Sequence, residues 1–104
     1  MSWSVKILPK ARSDYYSVMD YLSGFYPGTP RKFAREFQKM KSRLEHNPFG
    51  WSVCPSCPDF RRAIIGKYMA LYKVDEQQRL VHIHRILRSS WNIPNYLAEE
   101  EQNA

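Results

Sequence analysis

The sequence predicts an α+β domain built as an N-terminal strand, a helical hairpin and a three-stranded antiparallel meander. Three observations predict it. Apolar residues recur at helical spacing through two consecutive segments of the first half, the second half reads as three β-rich runs with short connections, and an aperiodic, proline-bearing segment divides the two. At 104 residues the chain is one domain, bounded at residues 1–98 and followed by an acidic tail at 99–104. Area scaling folds about 18,000 Å² of extended chain to roughly 6,000 Å², enough for a core without disulfide staples. Apolar residues at 43% and charged residues at 25% match globular averages, which excludes wholesale disorder, collagen-like repeats and a coiled coil. No apolar run approaches the ~20 residues of a membrane span. The first ten residues lack the apolar stretch of a signal peptide, so the expected location is cytoplasmic, without a membrane partner.

Residues 4–8 (Ser-Val-Lys-Ile-Leu) alternate as a short strand, which Pro9 closes because proline cannot extend a ladder. From Ala11 onward Tyr15, Val18, Met19, Leu22 and Phe25 form one apolar helical stripe. Tyr26-Pro27-Gly28 breaks it. Thr29 then reads as an N-cap with Pro30 at the first helical position, and Phe33, Phe37, Met40 and Leu44 make a second stripe that ends near Asn47-Pro48. Two amphipathic helices joined by a short turn form a hairpin whose apolar faces need a sheet to cover. Residues 47–59 hold three of the seven prolines and both cysteines, and read as a loop. Three β-rich runs follow at 60–65, 68–74 and 80–87, separated by Gly66-Lys67 and by residues 75–79. Connections this short imply antiparallel neighbours.

Charge speaks about partners. Sixteen Lys and Arg against ten Asp and Glu give +6, and three of those acids are the run Glu99, Glu100, Glu101. The other 98 residues before that run therefore carry +9. A small domain this basic suits a polyanion or an acidic protein, although basic charge also serves solubility alone.

The order strand, helix, helix, three strands, with Lys6-Ile7-Leu8-Pro9-Lys10-Ala11 at one end and Arg85-Ile86-Leu87 near the other, resembles the RelE/ParE superfamily of bacterial type II toxin–antitoxin toxins. The stretch from Gly66 through Tyr68, Met69 and Tyr72 to Asp75, and the run 81–87 followed by Ile93-Pro94, carry the rest of the likeness, which spans about residues 5–97. The resemblance implies a four-stranded sheet covered by two helices. It also implies growth inhibition, plasmid stabilisation and silencing by a cognate antitoxin in a toxin–antitoxin hetero-oligomer. One branch cleaves messenger RNA on the ribosome; the other inhibits DNA gyrase.

Cleavage through the RNA 2′-hydroxyl needs a base, an acid and cations beside the phosphate, and no metal cofactor. The resemblance places those jobs on Arg61, Arg62, His84, Arg88 and Tyr96. The match is partial, because the position after Tyr68, commonly Arg in the family, is Met69, and a thioether cannot stabilise a phosphorane. Ser89, Ser90, Trp91 and Asn92 stand where many members carry a basic pair and an acid. His82 and His84, two apart on a strand, share a face and could act as a base, half a metal site, or simply as half-exposed strand residues. His46, at the end of the second helix, suits the helix dipole. The gyrase branch needs a presented surface instead of a catalytic set. Arg88, Trp91, Asn92 and Tyr96 are the target-binding candidates, since an aromatic beside a cation makes an interface anchor; core packing is the alternative for Trp91.

Cys54-Pro-Ser-Cys57 fits half a zinc site by spacing, with His46, His82 or His84 needed to complete it. The same spacing fits a dithiol redox motif, a disulfide or inert thiols. For the antitoxin, Arg31, Lys32, Arg35 and Lys39 form a basic helix flank that would attract an acidic segment folding on binding, or serve only as a solvated face. Its groove would be built from the sheet's other face and the helix edges. The expected function is a ParE-like toxin acting on DNA gyrase, with a ribosome-dependent messenger RNA endonuclease as the alternative.

Overall fold

A computed structural model of the chain describes residues 2–91. β1 (Ser4–Ile7) leads into α1 (Pro9–Leu22) and α2 (Thr29–His46), and β2 (Arg61–Ile65), β3 (Tyr68–Asp75) and β4 (Leu80–Arg88) complete the domain. The expected strand, hairpin and meander are all present. The sheet order is β1-β4-β3-β2, with β2, β3 and β4 antiparallel and β1 parallel to β4 in the register Ser4↔Leu80 to Ile7↔Ile83. It is therefore a mixed sheet: the first strand joins beside the last, across the whole intervening chain.

Pro9 both ends the strand and opens the helix. It restricts Leu8 to an extended conformation (φ −69°, ψ 158°), and its missing N–H costs nothing in a first helical turn. α1 stops at Leu22, capped by Ser23, whose hydroxyl donates to Asp20 O at 2.6 Å, so Phe25 lies beyond the helix and not on its stripe. The start of α2 also differs from expectation. Gly28, at φ +92°, is the N-cap, Thr29 is the first helical residue and Pro30 the second; only glycine takes that left-handed turn without strain.

Ala11 and Val18 of α1 and Phe33, Phe37, Met40 and Leu44 of α2 bury against Ala63, Ile65, Ala70, Tyr72, Val81, Ile83 and Ile86 of the sheet. Tyr15 seals the two helices, its ring 4.9 Å from Phe37 and 5.8 Å from Phe33. A second apolar cluster lies on the other side of the sheet. There the segment between α2 and β2 lays Cys54, Cys57 and Phe60 over Met69, Leu71 and Leu87. The sheet's other face is thus covered at this end by the chain's own segment.

Candidate functional site

Neighbouring strand residues point to opposite faces, and this separates the candidate residues. Arg61 pairs with Tyr72, on the helix side, and Arg62 with Leu71, on the side of the second cluster. Arg61 is also committed elsewhere: its Nη1 donates to Trp51 O at 2.6 Å and its guanidinium lies 5.3 Å from the Phe49 ring. Arg88 pairs with Tyr68, four register positions along β3 from the partner of Arg61. Sequence had grouped Arg61, Arg62, His84 and Arg88 around one phosphate; the pleat divides them between two faces. Tyr96 and Asn92 lie outside the described residues.

His84 is the extra residue of a β-bulge, since Leu71 opposes Arg85 while Tyr72 opposes Ile83. Its ring stands 5.2 Å from Phe60 and 6.4 Å from His82, so the two histidines do share a side. Lys73 caps the same Phe60 ring at 4.6 Å. Met69 is 1% exposed, packed beneath the cysteine loop. That strand position is core, and nothing charged could occupy it without opening the cover. Cys54 and Cys57 are joined in a disulfide, which takes both sulfurs away from the zinc arrangement, and among the described residues no group of three or more His, Cys, Asp or Glu side chains converges on a metal position.

Tyr72 anchors the covering segment. Its buried hydroxyl donates to Pro48 O at 2.6 Å, and burial pushes its pKa from 10.0 up to about 12, against the opposing pull of the Arg61 charge.

A groove of about 440 Å³ opens where the tip of the helical hairpin meets the β2–β3 turn, lined by Tyr21, Phe25, Tyr26, Lys67, Tyr68 and Arg88 among others. It continues into a second hollow of about 310 Å³, where Tyr21, Tyr68 and Arg88 are joined by Asp14, Val18 and Trp91. Arg88 sits 5.8 Å over the Tyr68 ring, and Tyr68 in turn packs on Phe33. Tyr21, Phe25, Tyr26 and Trp91 are all exposed beside these cations. The structure thus brings Arg88 and Trp91 to one groove and adds Tyr21, Phe25, Tyr26 and Lys67, which sequence reasoning missed. The signal was available in Phe25-Tyr26: an aromatic pair beside Pro27-Gly28 has no helix face to bury it. Of the basic flank, Lys32 lines this groove, while Arg31, Arg35 and Lys39 are exposed on α2.

The described chain also matches known proteins. Residues 5–92 fit the family described as ParE toxin of the type II toxin–antitoxin system parDE. The fold is similar to a chain of the RelBE2 toxin–antitoxin complex from Mycobacterium tuberculosis (21% identity, 85% of this chain and 99% of that one, TM-score 0.64). It is similar to a chain of the chromosomal ParDE system from Pseudomonas aeruginosa (21% identity, 83% and 95% covered, TM-score 0.68). It also resembles a free-state mutant of the Escherichia coli toxin RelE (10% identity, 97% and 98% covered, TM-score 0.66). No curated protein matches the sequence.

Proposed function

Because the chain belongs to the ParE toxin family of type II toxin–antitoxin systems, we propose that it arrests growth by direct contact with DNA gyrase in the cytoplasm. A cognate acidic antitoxin neutralises it. The observation that carries the target is the burial of Met69 beneath the cysteine loop. RNA cleavage would require cations and a proton acceptor around one phosphate, whereas here an apolar cover fills the strand position and Arg61 and Arg62 diverge. A contact inhibitor needs only a surface. The hairpin-tip groove offers one, with Trp91, Tyr21 and Phe25 as aromatic anchors and Arg88 and Lys67 as their charged neighbours.

Neutralisation follows from the same geometry. Lys32 stands on the groove wall and Arg31, Arg35 and Lys39 continue along α2, so an acidic segment drawn to this flank would overlap the groove and occlude it. The ribosome-dependent reading rests on one arrangement, Arg62, His82 and His84 on the sheet's second side.

Titrating the purified chain into a gyrase supercoiling assay tests the proposal. Loss of supercoiling at stoichiometric toxin supports it. Undisturbed gyrase, with messenger RNA cut in a translating extract, would transfer the function to the ribosome.

A further inference from the structure

The Cys54-Pro-Ser-Cys57 motif has no part in the gyrase reading, yet it sits at the centre of the cover over Met69, Leu71 and Leu87. We propose that the Cys54–Cys57 pair is a thiol–disulfide exchange site through which an external dithiol opens this cover. The proposal is independent of which target the toxin meets.

Three features carry it. First, the cover is held by few bonds. Its local turns are closed by Cys57 N–H to Cys54 O at 3.2 Å and Phe60 N–H to Cys57 O at 2.9 Å, and its return to the sheet is made by Cys54 N–H to Phe60 O at 2.8 Å and Arg62 N–H to Ser52 O at 3.0 Å. The segment leading into it is anchored by Tyr72 Oη–H to Pro48 O and Arg61 Nη1–H to Trp51 O, and the remaining contacts of the Cys54–Phe60 stretch are apolar or ring contacts, Lys73 and His84 against Phe60. Second, the two sulfurs share a bond inside a packed cluster. Released as thiols, they must separate to van der Waals contact, and a close-packed interior accommodates added volume only by displacing neighbours. The neighbour free to move is the loop itself, because Met69, Leu71 and Leu87 belong to paired strands. Third, a disulfide in a reducing compartment survives by restricted access, so its reduction is gated by the same opening that it controls.

The geometry also orders the chemistry. Cys54 has no exposed surface and Cys57 retains 7%, so Cys57 is the residue an incoming thiolate meets first and its sulfur the expected point of attack. The disulfide bond breaks as the new sulfur–sulfur bond forms, and Cys54 leaves as the thiolate. Ser56 Oγ lies 3.6 Å from the Cys54 sulfur, placed to donate its proton in a hydrogen bond to that leaving group. The second thiolate of the reductant then attacks its own sulfur in the mixed disulfide and releases Cys57. Two electrons pass from the dithiol, which ends as a disulfide, and the two cysteines take up two protons.

Native-state alkylation with a maleimide, read by mass, combined with hydrogen exchange before and after dithiothreitol, tests the site. The expected result is no alkylation before reduction and two adducts after it, with faster exchange in residues 52–60 and unchanged exchange in α1 and α2. A Cys54→Ser,Cys57→Ser chain, which cannot form the bond, should show the fast exchange of residues 52–60 without reductant and no change on adding it. Ser56→Ala, at an exposed position, should slow reduction several-fold. Alkylation of both cysteines without reductant, or a reduced chain whose loop exchanges as before, would each overturn the proposal.

Discussion

Asp14 closes the open edge of β4 by holding Arg85. Its carboxylate accepts Arg85 Nε–H at 2.7 Å and Nη2–H at 3.1 Å, and one of its oxygens also accepts the Ile86 backbone N–H at 3.0 Å. The arrangement answers a topological need. β1 ends opposite Ile83, so beyond that point β4 has no strand on the side away from β3, and a helix side chain takes the ladder position instead.

Both groups are largely buried, at 7% and 16% side-chain exposure, so removing Asp14 takes from the Arg85 guanidinium the carboxylate that accepts two of its N–H groups. Asp14→Ala should therefore lower folding stability by roughly 3 kcal/mol, while Asp14→Ala combined with Arg85→Leu should cost less than the single change. Urea denaturation of the two variants measures this. Equal losses would show that the pair is not the edge's closure.

Tyr72 should make stability fall in alkali. Its phenol loses its proton near pH 10 in the unfolded chain and near pH 12 in the folded one. The folded state thus holds the proton more tightly, and the stabilisation is complete below pH 10 and disappears as pH rises from 10 to 12, by roughly 3 kcal/mol for a two-unit separation. Tyr72→Phe should flatten that part of the profile and cost about 1 kcal/mol at pH 7, by stranding Pro48 O. Denaturation midpoints at pH 8, 10 and 11 read both effects.

Met69 separates a core position from a catalytic one. Met69→Leu should cost under about 1.5 kcal/mol, while Met69→Arg buries an unpaired charge and should cost several times more without creating RNA cleavage. Thermal denaturation together with a ribosome-bound RNA cleavage assay checks the pair. A stable, RNA-cutting Met69→Arg chain would show the cover to be dispensable.

Local pattern made the hairpin and the meander legible in sequence. Phe33, Phe37, Met40 and Leu44 lie one helical repeat apart, and all four are core. Short turns left β2, β3 and β4 little choice of neighbour. The parallel seat of β1 beside β4 was not legible, because it joins residues more than 70 positions apart. Nor was the Asp14–Arg85 pair, although an arginine inside the apolar run 80–87 implied a buried partner. The cover over the second face had an unread signal: Tyr68-Met69-Ala70-Leu71-Tyr72 is an apolar run without alternation, which does not suit a sheet with one wet side, and all five are buried. The site divided along similar lines. That Arg88 and Trp91 lie close together was legible from their spacing, and both line one hollow, whereas the groove's Tyr21 and Phe25 depend on where α1 stops.

Surface and strand cations should have opposite importance for toxicity. Trp91→Ala and Arg88→Ala are expected to weaken growth arrest at least tenfold in inducer concentration with folding intact, because interface anchors of this kind contribute 2 kcal/mol or more, by the general rule of about tenfold per 1.4 kcal/mol. Arg61→Ala and Arg62→Ala should leave arrest in place. Growth curves and circular dichroism of the four variants decide, and toxicity lost only in the strand variants would favour RNA cleavage.

Pulse labelling of DNA and protein synthesis, within minutes of inducing the chain without a partner, tests the gyrase assignment most directly. The account predicts an early fall in DNA synthesis while translation continues. An early fall in translation with replication still running would contradict it.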